Sequence, residues 1–259
     1  MATALSFRTP TASDAKVLAA LEFAAGPEVY QYVFDAGGKT AMDFIQYALQ
    51  FPGGELGYRA HTCVVEGPPE GPAVIVANGV EYSGRDNLRF MLTFLVQILR
   101  FYPFPASLGV FLRGLQVERI LVPPDGDTHF ISHLATDPAR RGQGIGEKLI
   151  REFFRRGTAL GRAKIELDVA ETNPLAEALY RRLGFVRLHL RESTLCRNGV
   201  KVPGYYRMRL VEALETDGQA RADKVKDCCG APARGVVAFL WFVACSGALS
   251  FLAKPLCAL

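Results

Sequence analysis

Three glycines at alternate positions, in Arg141-Gly-Gln-Gly-Ile-Gly146, constrain the fold of this chain more than any other feature. They follow His129-Phe-Ile-Ser-His-Leu-Ala-Thr136, which reads as a strand, and they lead into a helix-like stretch over residues 144–160. A strand, a glycine turn and a helix in direct succession leave the backbone itself as the exposed surface, because glycine has no side chain to hold a ligand away. The first amides of a helix are unpaired, and its dipole favours an anion there. Arg140 and Arg141 place two permanent positive charges beside them. A pyrophosphate held mainly by main chain suits this arrangement. The G-x-G-x-G spacing departs from the dinucleotide fingerprint G-x-G-x-x-G, and no Gly-Lys-Ser/Thr closes the turn as a P-loop requires.

One strand and one helix further on comes Ile165-Glu-Leu-Asp-Val169, then Glu171-Thr-Asn-Pro-Leu-Ala-Glu-Ala-Leu-Tyr-Arg-Arg-Leu-Gly-Phe185. With these two patterns in order, the chain resembles the GNAT superfamily of acyl-CoA-dependent N-acetyltransferases. Arg141, Gly144 and Gly146 match the family's R/Q-x-x-G-x-G/A turn. Asn173, Ala176, Leu179-Tyr180 and Gly184-Phe185 match its downstream motif. The resemblance is sharp over residues 128–190, looser over 1–211, and does not extend to 212–259.

The resemblance implies an α/β (α+β) fold whose mixed, mostly antiparallel central sheet is flanked by helices. It implies acetyl-CoA as co-substrate and an amine as acceptor. The pyrophosphate would lie on the amides of Gly142, Gln143, Gly144, Ile145 and Gly146, beside Arg140 and Arg141. The pantetheine arm would run along the backbone of Leu134, Ala135 and Thr136. Tyr180 would be the general acid that protonates the departing sulfur; a phenol is neutral at pH 7 and can give its proton to a thiolate. Asn173, before a proline at a helix start, either caps that helix or touches the cofactor arm.

The general base stays open among Glu81, His133, Glu166 and Asp168. His133 is the candidate taken forward, since it lies on the strand before the glycine turn and an imidazole can titrate near neutrality. A lone histidine on a strand is also an ordinary structural residue. Tyr205-Tyr206 either line the acceptor cleft or are simply good strand residues. The alternative to an enzyme is a non-catalytic acyl-CoA-binding module of the same fold.

Along the chain, Leu5-Ser-Phe-Arg8 reads as a strand. A helix capped by Ser13 or Asp14 runs to about Ala25, where Gly26-Pro27 stops it. Thr40 begins a second helix, and strands follow over 59–65 and 73–82. Residues 84–124 read as a hydrophobic helical insertion in which Leu88 to Arg100 has no polar face, so burial is expected. It suits a core enlargement, a lid, a homodimer surface or a hairpin resting on a membrane. After it come strand 128–136, helix 144–160, strand 163–169, helix 174–183, strand 185–190, a turn over 195–203 and a closing strand 205–210.

Residues 212–234 read as a charged linker and 235–259 as a hydrophobic C-terminal helix. Its apolar run 236–253 is at the lower limit for a bilayer span, which makes a tail anchor one reading and a packed helix another. The formal net charge of +4 forms no stripe for nucleic acid. Six cysteines without paired Cys or His spacing give no metal site, and with no leader pattern at residue 1 they point to a reduced, cytoplasmic setting.

Overall fold

The computed structural model describes residues 4–67 and 73–211. Strand β1 is Ala4–Arg8. Thr11 opens the next segment: the Asp14 carboxylate accepts from its amide at 2.7 Å and takes two bonds from Arg8, at 2.8 and 2.9 Å. Helix α1 follows as Ala15–Ala25, with Ala15, Leu18, Ala19 and Glu22 at helical spacing on its buried side. Gly26-Pro27 ends α1, as expected, but Pro27 also begins helix α2, Pro27–Phe34. Proline suits the first helical position because its missing N–H has no partner there in any case. Thr40 caps helix α3, Ala41–Ala48, its hydroxyl accepting from the Asp43 amide at 3.2 Å.

Strands β2, His61–Gly67, and β3, Val74–Ser83, come next. The region read as an insertion forms helices α4, Asn87–Phe101, and α5, Ala106–Val117. Its burial is one-sided. Phe90 and Ile98 turn inward, while Leu88, Leu92, Val96 and Leu99 stay exposed. Polar contacts set this orientation. Arg113 of α5 donates to the Val33 carbonyl at 2.8 and 3.0 Å, Tyr32 donates to Gln116 at 2.6 Å, and Tyr102 donates to the Phe34 carbonyl at 2.7 Å. The pair is thereby fastened to α2, and one apolar side of α4 meets the aromatic group around Phe34 and Phe44.

The remaining elements are β4, Thr128–Thr136; α6, Ile145–Ala159; β5, Lys164–Ala170; α7, Pro174–Arg182; β6, Phe185–Arg191; and β9, Tyr205–Leu210. Where only a turn was expected, strands β7, Cys196–Arg197, and β8, Val200–Lys201, form a small hairpin. Its two central residues, Asn198 and Gly199, both have positive φ, as a tight hairpin turn demands.

The seven-stranded sheet has the order β1-β2-β3-β4-β5-β9-β6. Its pairs are antiparallel except β4 with β5. Period-two alternation divides its side chains between two cores: Cys63 and Val65 face α1–α5, whereas Val64 faces α6 and α7. Beside the parallel pair, buried Arg207 is clamped by Asp168 at 2.6 and 3.0 Å and by Glu166 at 3.2 Å, and it also donates to the Val122 carbonyl.

Among the described residues, no helix is long and apolar enough to cross a membrane. The expected linker 212–234, the C-terminal segment 235–259 and its candidate anchor 236–253 lie outside the described residues. Replacing Arg207 by methionine strips buried Asp168 of its ion-pair partner and leaves Glu166 with Arg209, so we expect a stability loss on the order of 3–5 kcal/mol, read from urea unfolding.

Candidate active site

Strands β4 and β5 pair only from Thr128–Lys164 to Ile131–Leu167. Beyond that point β4 stays on β3, Ala135 opposite Asn78 and Thr136 opposite Ala77, while β5 stays on β9 through Ala170. The two strands therefore separate, and the β5-facing edge of residues 132–136 forms no ladder. A bulge marks the point of separation. The β3–β4 register shifts between Asn78 and Val80, and His133 takes φ +54°, a left-handed conformation unusual for a non-glycine residue. Gly79 makes room opposite it; a Cβ there would lie 2.9 Å from Leu134 and 2.8 Å from Phe153.

The glycine turn continues the open edge. Asp137 holds its start by accepting from the Ala139 amide at 2.9 Å, and its own amide donates to the Val76 carbonyl. Gly142 and Gly144 have φ +79° and +73°, both exposed, with nothing within 4 Å of a Cβ built on either. They are required by backbone conformation and leave the amides at the head of α6 uncovered. Gly146 serves closeness instead: a Cβ there would meet the Thr136 hydroxyl at 3.3 Å. Arg140 forms an ion pair with Glu66 at 2.8 Å, whereas Arg141 is exposed beside the turn. Gln143 is exposed and Ile145 is buried under the helix.

Asn173 caps α7, its side-chain oxygen accepting from the Ala176 amide at 3.1 Å. About two turns into that helix, Tyr180 is buried near Phe185 and among the residues that pack on α6 and β5. Burial pushes its phenol up to about 12, which keeps it protonated and a proton donor at neutral pH.

On the other face, the His133 ring is surrounded. Its Nδ1 meets the carboxylate of Glu22 from α1 and the Tyr30 hydroxyl from α2, the latter at 2.7 Å. Its Nε2 meets Glu55, from the loop after α3, at 2.9 Å. Tyr30 also donates to Glu22, and Asn78 donates to it at 3.0 Å. His61 stands 3.7 Å away. Burial works against charge on both partners of the central pair, and their mutual attraction outweighs it. Glu22 is held at about 2, mainly by the His133 ring, and His133 is raised to about 10 by Glu22 and Glu55. Burial lowers His61 to about 4, so it is neutral. A ring expected to titrate near neutrality thus keeps a proton on each nitrogen there.

The other acidic candidates are engaged elsewhere. Glu81 pairs with Arg156 at 2.8 Å, and Glu166 and Asp168 hold Arg207. Tyr205 and Tyr206 face opposite sides of the sheet; Tyr205 is buried in the α1–α5 core, and Tyr206 lies 3.9 Å under the Arg187 guanidinium. Glu22, Tyr30, Glu55, His61 and Asn78 carry no motif. One signal existed: Glu22 is a single acid on the buried stripe of α1, where a charge needs a partner.

The family described as "Acetyltransferase (GNAT) family" matches residues 108–185. N-alpha-acetyltransferase RimI of Mycobacterium tuberculosis is 43% identical over 60 residues, 22% of this chain and 35% of its own. An uncharacterized protein of Mycobacterium leprae is 43% identical over 58 residues, 22% of this chain and 15% of its own. The chain thus spans well under two thirds of both curated relatives. Among solved structures, an N-acetyltransferase from Staphylococcus aureus Mu50 superposes with TM-score 0.58 at 18% identity, covering 79% of this chain and 100% of that one. Another acetyltransferase gives TM-score 0.53 at 18% identity, covering 79% and 98%.

The buried ion pair makes stability pH-dependent on both sides. The Glu22 contribution is complete above its unfolded value near 4.5 and fades as pH falls toward about 2. The His133 contribution is complete below 6.5 and fades as pH rises toward about 10. We expect the thermal midpoint to be highest near pH 5–6 and both limbs to flatten in Glu22→Gln, as followed by circular dichroism.

Proposed function

We propose that this chain, which belongs to the GNAT superfamily, transfers an acetyl group from acetyl-CoA to a primary amine. The observation that carries the proposal is the separation of β4 from β5 in line with an uncovered helix head. The residues present fit the co-substrate. The amides of Gly142 to Gly146 with Arg141 suit a pyrophosphate, and the unladdered edge of Leu134, Ala135 and Thr136 suits an arm laid alongside it as an added strand. Acetyl-CoA supplies the activated acetyl thioester.

The protein's part is positioning and proton transfer. An ammonium acceptor must lose a proton before its nitrogen can form the new C–N bond. As the C–S bond breaks, the sulfur needs one, and Tyr180 holds it. The balance is ammonium plus acetyl-CoA giving amide, CoASH and one released proton. The RimI relative is named for N-alpha-acetylation, so a peptide with a free N-terminus belongs in the acceptor panel beside lysine peptides and small diamines.

Calorimetry with acetyl-CoA and a CoASH-release assay across that panel test the reading. Saturable binding with thiol release on at least one amine is expected; binding without release on any acceptor would leave only an acyl-CoA-binding module. Arg141→Glu should weaken acetyl-CoA binding about tenfold, roughly 1.4 kcal/mol. Tyr180→Phe should lower kcat about a hundredfold with little change in KM for acetyl-CoA.

A further inference from the structure

We infer that Glu55 is the carboxylate that receives the acceptor's ammonium and takes its proton, held in place by the charged ring of His133. This rests on the acetyl-transfer reading above and adds to it a catalytic residue and an acceptor charge.

The geometry begins at the bulge. His133 lies just past Ile131, the last residue of β4 paired to β5, so its side chain leaves the sheet where the open edge starts. Its ring bridges two carboxylates, Glu22 through Nδ1 and Glu55 through Nε2. The two acids are unequal. Glu22 is sealed, with no exposed side-chain area, and is already bonded by Tyr30 and Asn78. Glu55 keeps 36% of its side chain exposed. Only Glu55 can meet an incoming molecule.

The charges make the same distinction. Two carboxylates and one imidazolium leave one net negative charge, since His61 is neutral. Glu118 supplies no compensating positive charge: burial raises its carboxyl first, and Glu55 raises it further. Other groups facing the cluster are phenols, Tyr30 from α2 and Tyr82 from β3, both held protonated by burial first and by nearby Glu22 or Glu55 second. A site short of one positive charge selects an ammonium over a neutral or anionic acceptor.

His133 cannot take the proton itself, because an imidazolium has no free lone pair. It can orient Glu55 as a hydrogen-bond donor, while Glu22 and Tyr30 keep the ring charged and still. In the transfer, one N–H bond of the ammonium breaks and one O–H bond forms on a Glu55 oxygen. The amine lone pair is then available for the acetyl carbon, and the exposed carboxyl returns the proton to water. Glu55 is catalytic in this scheme; His133, Glu22 and Tyr30 are positioning residues.

Glu55→Gln in the full chain, assayed on the best amine of the panel, is the direct test. We expect kcat to fall about a hundredfold and KM for the amine to rise, with acetyl-CoA affinity by calorimetry unchanged. Glu55→Asp should restore part of kcat. Tyr30→Phe, which keeps the ring but loosens it, should lower kcat without altering acetyl-CoA affinity. A Glu55→Gln enzyme within threefold of wild type overturns the inference. So does a wild-type kcat that rises only as pH passes the titration of His133 near 10, since that makes the deprotonated ring the base. Absence of thiol release by the wild type on every amine would instead defeat the acetyl-transfer reading. An unfolded Glu55→Gln variant would leave the wild-type pH profile as the deciding measurement.

Discussion

The ion pair between Glu22 and His133 is the interaction on which the open edge of the sheet depends. A residue inside a strand adopts a left-handed backbone only when its surroundings over-determine it. Here the over-determination is visible: a sealed carboxylate, a phenol and a second carboxylate hold one ring from three elements, and Gly79 removes the side chain that would resist the bulge. With the bulge in place, β4 bends away from β5 and its later backbone groups face an opening. The polar cluster and the binding edge are therefore two consequences of one local geometry.

Burying such a pair is costly unless each partner is fully bonded. The cost is offset by the packing that encloses it. Helices α1, α2 and α3 cover this face with an aromatic core in which Phe34 and Phe44 stack at 4.4 Å, and α4 and α5 brace that core from outside through Arg113, Tyr32 and Tyr102. The opposite face carries the glycine turn, α6 and α7. The sheet thus separates an anion-binding side, built from main chain, from an acidic side, built from side chains. This division suits a reaction that joins a polyanionic donor to a cationic acceptor.

Much of the frame was legible in the chain because its signals are local. Thr40 before an apolar period, Asn173-Pro174, and glycines with positive φ at 142 and 144 each act over a single turn of backbone. The closing strand 205–210 shows alternation in Arg207-Met-Arg-Leu210, and strand 128–136 reads as a short run leading directly into the glycine turn. The helix over 27–34 was missed because Gly26-Pro27 signals both a stop and a start. The one-sided exposure of α4 was missed because composition tells how apolar a helix is and says nothing about how many neighbours it has.

The sequence alone determined the turn that suits a pyrophosphate, the tyrosine on the helix after β5 and the order of the elements from residue 128 to 191, since all three are written within short spans. Only the tertiary structure decided the state of His133. Its partners lie at positions 22, 30 and 55, far from it along the chain, and converge only when α1, α2 and the loop after α3 close over the bulge. A group's charge depends on burial and on what stands within a few ångströms of it, and those are properties of the folded arrangement.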